Sequence, residues 1–297
     1  MSQDAQTIQI HLPKGDPHGL RIAWITTQTE RLFSVPRHLL NDFFNLHEIK
    51  KSNGAIAVYF LIKESEEEGI LPRLYIGQTS DLIGRLREHD KTKKFWDEAF
   101  VMVYFADDVT PTHALFLEWM TIQAAKEAGR YILVNGNKGI YQRLSPSMEA
   151  DCHKLHKKTV LLLSTLGKRV FEALTKNTRA EGVSTTAEQS EEFYLRQPQY
   201  GVEAKGLFTA DGFIVLKGSN LRKESVPSFK NISSGRLRQR LIEEGILAAG
   251  EDGIYRFTRD YLFKSPSGAS DTILGRSTSG WQEWRNEAGK TLDELKR

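Results

Sequence analysis

The sequence predicts a mixed α+β fold in more than one domain, on three observations. The chain has 297 residues, about twice a typical domain of about 150. Its apolar patterning reads as strand pairs followed by helices, ββα and then ββαβα. A stretch from Thr178 to Ser190, rich in Thr, Ser, Ala and Glu and without aromatic residues, reads as a linker to a further α+β domain.

In chain order, Ile8, Ile10 and Leu12 alternate with polar residues, and Leu20 to Thr26 follows a turn, which predicts two strands. Leu32 to Val35 offers a third. Pro36 stands at a first helical position, and Leu39, Leu40, Phe43, Phe44 and Leu46 share one helical face, so residues 1–50 read as a small accessory ββα layer. From 51 to 145 a central domain follows. Ala55 to Ile62 and Arg73 to Gln78 read as a hairpin around the acidic loop Glu64 to Glu68. Ser80 or Asp81 caps a helix to about Lys91, Phe95 to Glu98 reads as a short helical piece, and Val101 to Phe105 is a third strand. Thr110-Pro111-Thr112 opens a helix from about His113 to Ala128, which Gly129 closes.

Residues 146–190 read as a long basic helix, Met148 to Thr175, and the linker. The C-terminal domain occupies 191–297. Strands at Phe193 to Gln197 and Tyr200 to Phe208 precede an Asp211-Gly212 turn into Phe213 to Lys217, and a helix from roughly Gly235 to Glu244 ends at Gly245.

Composition restricts the function classes. The 41 Lys and Arg against 38 Asp and Glu leave a formal charge of +3, so a polyanionic partner needs local clustering of charge. One cysteine, Cys152, excludes an intrachain disulfide framework and fits a reducing cytoplasm. The polar N-terminus and short apolar runs predict a cytoplasmic chain with no membrane partner. Cys152, His153 and His156 lie close together in sequence, but among Lys154, Lys157 and Lys158 they read as a solvated helix face rather than a metal site.

The chemistry-bearing residues cluster on the central hairpin and its helices. Ile56, Val58, Phe60 and Ile62 share one strand face, which leaves Tyr59 on the other. On the partner strand, Tyr75 and Gly77 lie opposite Leu74 and Ile76, so a regular register makes a small polar notch of two phenols and a residue without a side chain. Arg85 and His89, four apart on a helix, stack a guanidinium and an imidazole on one side and suit a phosphate. Glu118 sits among Ala114, Leu115, Ile122 and Ala125, where a carboxylate needs a partner or a metal.

Ala57-Val58-Tyr59, Tyr75-Ile76-Gly77, Arg85, His89, Glu118 and an Asn at 135 or 137, with Asn135 preferred, resemble the GIY-YIG nuclease domain over about Ala55 to Lys138. The resemblance implies a three-stranded antiparallel sheet flanked by helices and a divalent-metal-dependent endonuclease acting on nucleic acid, with DNA favoured. It implies that Glu118 binds Mg²⁺ or Mn²⁺, and that Arg85 offsets charge on the phosphate. Tyr59, lowered in pKa or paired with a metal-bound water, would activate the attacking water. Tyr75 and His89 would orient phosphate or water or relay a proton, and Asn135 would support the loop or contact the substrate backbone.

Gly77, Arg87, Lys93 and Lys94 are the expected substrate contacts, and Lys154, Lys157, Lys158, Lys168 and Arg169 form a second basic group able to track phosphates. Ala57 and Val58 stand where the family has Gly and Ile. That departure motivates a reading of another class, a catalytically silent nucleic-acid-binding or adaptor protein that keeps the fold. The run Ser265-Pro266-Ser267-Gly268-Ala269-Ser270, with Leu274-Gly275, Gly280-Trp281 and Trp284, resembles a module of unknown function appended to some GIY-YIG and restriction-modification proteins.

Overall fold

The computed structural model describes residues 5–52, 54–65, 70–105, 108–136, 139–174 and 191–297. The expected linker at 178–190, Glu66 to Glu68 of the acidic loop, and Asn137 lie outside these residues. The described chain forms two compact units, residues 1–64 with 72–172, and residues 65–71 with 173–297.

The first unit is built on one mixed sheet. Strands β1 (Ile8–His11), β2 (Arg21–Ile25) and β3 (Arg31–Pro36) lead into short helices α1 (Leu40–Asn45) and α2 (His47–Lys51). Then come β4 (Ile56–Lys63), β5 (Arg73–Thr79), α3 (Leu82–Thr92), β6 (Glu98–Tyr104), α4 (Pro111–Ala128), β7 (Ile132–Leu133) and α5 (Pro146–Thr165). The three strands expected of the central segment are present, adjacent and antiparallel, as β6-β4-β5. The N-terminal strands are not a separate layer: they extend the same sheet through pairing of β3 with β6, giving seven strands in the order β1-β2-β3-β6-β4-β5-β7.

Period-two alternation gives this sheet two cores. Val58, Phe60, Leu74 and Ile76 face Leu117 and Ile122 of α4 and Leu155 and Leu162 of α5. Ala57, Tyr59, Leu61 and Val101 face Phe43 of α1 and Leu82 and Leu86 of α3. Both faces are covered, so β4 is buried along almost its whole length.

Three local expectations are corrected. Phe95 to Glu98 is not helical; Trp96 is fully buried there, and β6 begins at Glu98. The long helix stops at Thr165, because Gly167 takes a left-handed conformation (φ 83°) while Gly167 N–H donates to Ser164 and Lys168 N–H to Leu163. These paired bonds cap the last turn. Val170 and Phe171, read as the apolar side of a continuing helix, fold back onto the core with α4 and α5. The solvated reading of the Cys152 turn holds for exposed His153, Lys154 and Lys157 but not for the other two residues: Cys152 is fully buried, and His156 packs against Phe171 with ring centroids 5.0 Å apart.

In the second unit, β8 (Glu192–Gln197), β9 (Val202–Thr209) and β10 (Gly212–Val215) form a meander, and α6 (Ser233–Glu243), β11 (Leu247–Ala249) and β12 (Tyr255–Phe257) follow. β13 (Tyr261–Phe263) completes a four-stranded sheet beside β10, and α7 (Pro266–Leu274), α8 (Gly280–Glu283) and α9 (Leu292–Lys296) finish the chain. Trp284 is a core residue: it packs on Phe213 with centroids 4.4 Å apart, and its indole N–H donates to Pro266 O at 3.2 Å. Among the described residues no helix is long and apolar enough to cross a membrane.

Candidate active site

The β4–β5 register sets Tyr59 directly opposite Gly77. A Cβ at position 77 would stand 2.4 Å from Tyr59 Oη and 2.5 Å from Cζ, so only glycine lets the phenol lie across the neighbouring strand. Asp81 starts α3 by accepting from Gly84 N–H at 3.0 Å, and the helix then buries Leu82, Leu86 and His89 beneath its polar ridge. This places His89 Nε2 2.8 Å from Tyr59 Oη, and Arg85 Nε donates to the same oxygen at 3.2 Å. Tyr75 completes the group, with ring centroids 6.3 Å from Tyr59 and 5.3 Å from His89, and Lys93 Nζ lies 4.2 Å over the Tyr75 ring.

Tyr59 Oη accepts from Arg85 Nε and shares a hydrogen bond with His89 Nε2 in which the imidazole tautomer decides the donor. His89 Nδ1 is buried without a hydrogen-bond partner among the described residues. Burial, reinforced by the charges of Arg85 and Lys93, lowers the His89 imidazole to about 4. It is therefore neutral at pH 7. Burial also raises the Tyr59 phenol above its ordinary value, against the pull of the Arg85 hydrogen bond. The expectation of a phenol lowered in pKa is corrected: full enclosure outweighs one guanidinium.

α4 packs on the opposite face of the sheet from α3, and Glu118 meets the group at the end of β5. Its half-buried carboxylate accepts from Gln78 backbone N–H and lies in the field of Arg85; burial nevertheless raises its pKa. Among the described residues no three His, Cys, Asp or Glu side chains converge on a metal position. One carboxylate beside a guanidinium fits a hydrated divalent ion that completes its shell with water and phosphate oxygens, and does not fit an ion caged by protein.

The structure thus brings together Tyr59, Tyr75, Gly77, Arg85, His89, Lys93 and Glu118. Asn135 is elsewhere in role: its Nδ2 donates to Ile76 O at 2.7 Å and its Oδ1 accepts from Ile76 N–H at 3.1 Å. The side-chain amide continues the β5–β7 ladder one step past β7 and holds the strand next to Gly77. Lys94 donates to Asp90 O at 3.2 Å, and Arg87 lies over Phe44 at 5.2 Å, away from the notch. The second basic group is largely neutralised within the chain. Lys158 bonds Gln28 and Glu30, Lys168 bonds Glu64 and Glu98, Arg169 pairs with Glu172, and Lys154 with Asp151. The Gln78 N–H to Glu118 contact escaped the sequence reading, since a backbone donor carries no residue-type signal.

Neither a curated protein nor a solved structure matches the chain. Residues 193–296, within the second unit, match the family model described as Domain of unknown function (DUF4357).

Proposed function

We propose that the chain is a divalent-metal-dependent endonuclease that hydrolyses phosphodiester bonds in nucleic acid, with DNA the favoured substrate. The observation that carries this reading is the Tyr59, His89 and Arg85 cluster, closed against Gly77 and sharing its field with Glu118. Arg85 binds a non-bridging phosphate oxygen: its ion pair with Glu88, 2.8 Å long, is exposed and of little strength, so a phosphate displaces it. On substrate entry the attacking water reaches Tyr59 Oη, which is enclosed in the free chain; with His89 as the Nδ1–H tautomer, the phenol takes a proton from the water as its own passes to Nε2, stays neutral throughout, and the bond from phosphorus to the leaving oxygen breaks. Burial is the main cause of the low His89 basicity and persists, but a bound phosphate offsets the smaller contribution of the Arg85 and Lys93 charges and so raises that basicity in part. Glu118 would hold a Mg²⁺ or Mn²⁺ ion, whose chemistry when bound is to draw charge from the scissile phosphate.

The test is cleavage of plasmid and single-stranded DNA by the full chain with Mg²⁺ and with chelator, beside Glu118→Gln. Metal-dependent products that vanish in Glu118→Gln, while that variant still folds and binds, support the reading. Unchanged turnover in Glu118→Gln removes the metal assignment. Binding without cleavage under any metal leaves the catalytically silent alternative.

A further inference from the structure

Helix α3 has a second basic flank. Arg87 and Lys91 lie two and six positions beyond Arg85, about 200° and 240° around the helix, so they project on the side away from the notch. There a cleft of about 850 Å³ opens against α1 and the turn before it, lined by Arg37, His38, Asn41, Phe44, Arg87 and Lys91 among others. Its two carboxylates are already matched: Asp90 accepts from Arg37 at 2.8 Å, and Asp97 pairs with Lys63. Arg37 is fully engaged, bonding Asp90 and Trp96 O while its guanidinium lies over the Trp96 ring at 4.7 Å. Arg87 and Lys91 form no ion pair among the described residues. The cleft therefore carries two uncompensated positive charges, with exposed His38 and Asn41 beside them as further polar groups.

From this we infer that the α1–α3 cleft is a second phosphate site, which grips the sugar–phosphate backbone of the same nucleic acid strand that enters the notch. The inference rests on the nuclease reading and assigns it a subsite that the N-terminal segment builds. A helix with its side chains is about 10–12 Å across, so the cleft and the notch, on two sides of α3, take different phosphates of the strand. Phe44 is only 6% exposed, which leaves no free aromatic face for a base, so the site binds backbone without reading sequence.

The test uses the full chain carrying Glu118→Gln, so that cleavage does not intervene, and a labelled DNA duplex titrated across a salt series. Adding Arg87→Gln and Lys91→Gln should flatten the logarithmic salt slope by about 2, and Lys91→Gln alone by about 1. The affinity gap between parent and double variant should then narrow about tenfold between 50 and 200 mM salt. Both side chains are exposed, and a thermal melt confirms that the variants fold. An unchanged slope in the double variant, with normal binding by the parent, overturns this inference alone. An equal loss from Lys154→Gln with Lys157→Gln overturns it too, because the effect then belongs to net charge. No binding by the parent chain overturns both this inference and the nuclease reading.

Discussion

Replacing Gly77 by Ala should destabilise the first unit, against the ordinary trend. In an unobstructed strand, Gly to Ala stabilises by roughly 0.5–1 kcal/mol, because glycine loses the most backbone freedom on folding. Here the added Cβ would meet Tyr59 Oη and Cζ at 2.4 and 2.5 Å, whereas carbon contacts relax near about 3.5–4.0 Å. The ring must move by roughly 1 Å, and with no exposed surface it has no open space to move into. Overpacking of this kind costs about 1–3 kcal/mol, and loss of the bonds to His89 and from Arg85 adds about 0.5–1.5 kcal/mol each. Against the backbone gain, the net expectation is a loss of about 1–5.5 kcal/mol, with cleavage falling because the phenol is misplaced. Urea unfolding of Gly77→Ala, Tyr59→Val and the double variant measures the coupling directly. With the ring absent, the cost of Gly77→Ala should largely vanish. A stabilised Gly77→Ala, or an equal cost in both backgrounds, would refute the steric account of this glycine.

Three further outcomes are expected. Tyr59→Phe should slow cleavage by roughly two orders of magnitude and lose about 1–3 kcal/mol of stability, since His89 Nε2 is left buried without a partner; normal cleavage would make Tyr59 a packing residue only. His89 holds near 4 in the folded chain against about 6.5 unfolded, so the unfolded chain binds the proton first. Its contribution is intact above about pH 6.5 and is lost as pH falls toward 4, with a slope of about 1.4 kcal/mol per pH unit. His89→Gln should lower the slope of stability against pH by that amount, and an unchanged slope would contradict a buried neutral imidazole. Asn135→Asp keeps the acceptor for Ile76 N–H but turns a carboxylate oxygen toward Ile76 O, so hydrogen exchange at the β5 edge should accelerate; unchanged protection would remove the clamp assigned to this side chain.

Local patterns were legible and distant pairings were not. The alternation through Val58, Tyr59 and Phe60, the four-residue spacing of Arg85 and His89, and the breaks at Asp81 and Gly129 all act within one element, so the residues near them carry the signal. The attachment of β3 to β6 depends on partners more than sixty positions apart, for instance Phe33 with Val101, and no short-range pattern encodes it. The early end of α5 was hidden because Val170 and Phe171 continue the helical period after Gly167 has already turned the chain. The basic residues from Lys158 to Arg169 looked available for phosphate because Glu30, Glu64 and Glu98, which neutralise several of them, arrive from other strands and loops. The raised phenol of Tyr59 follows from enclosure on both faces of β4, a property of tertiary packing rather than of the tripeptide that contains it.

The N-terminal strands also act as a guard against self-association. Without them, β6 would present its outer edge from Glu98 to Tyr104, seven residues that are nearly all apolar and buried in the complete sheet, with unpaired backbone groups open to another chain. In the complete sheet the outermost strand on that side is β1, four residues long and largely exposed, with Gln9 and His11 on it. The sheet therefore ends in a strand of only four residues, where exposed Ile10 stands between Gln9 and His11, so an incoming strand gains far less pairing and burial than it would along β6. A fragment beginning near residue 51 would keep Tyr59, Arg85, His89 and Glu118 yet expose an adhesive border, so its activity in solution would be limited by aggregation before chemistry.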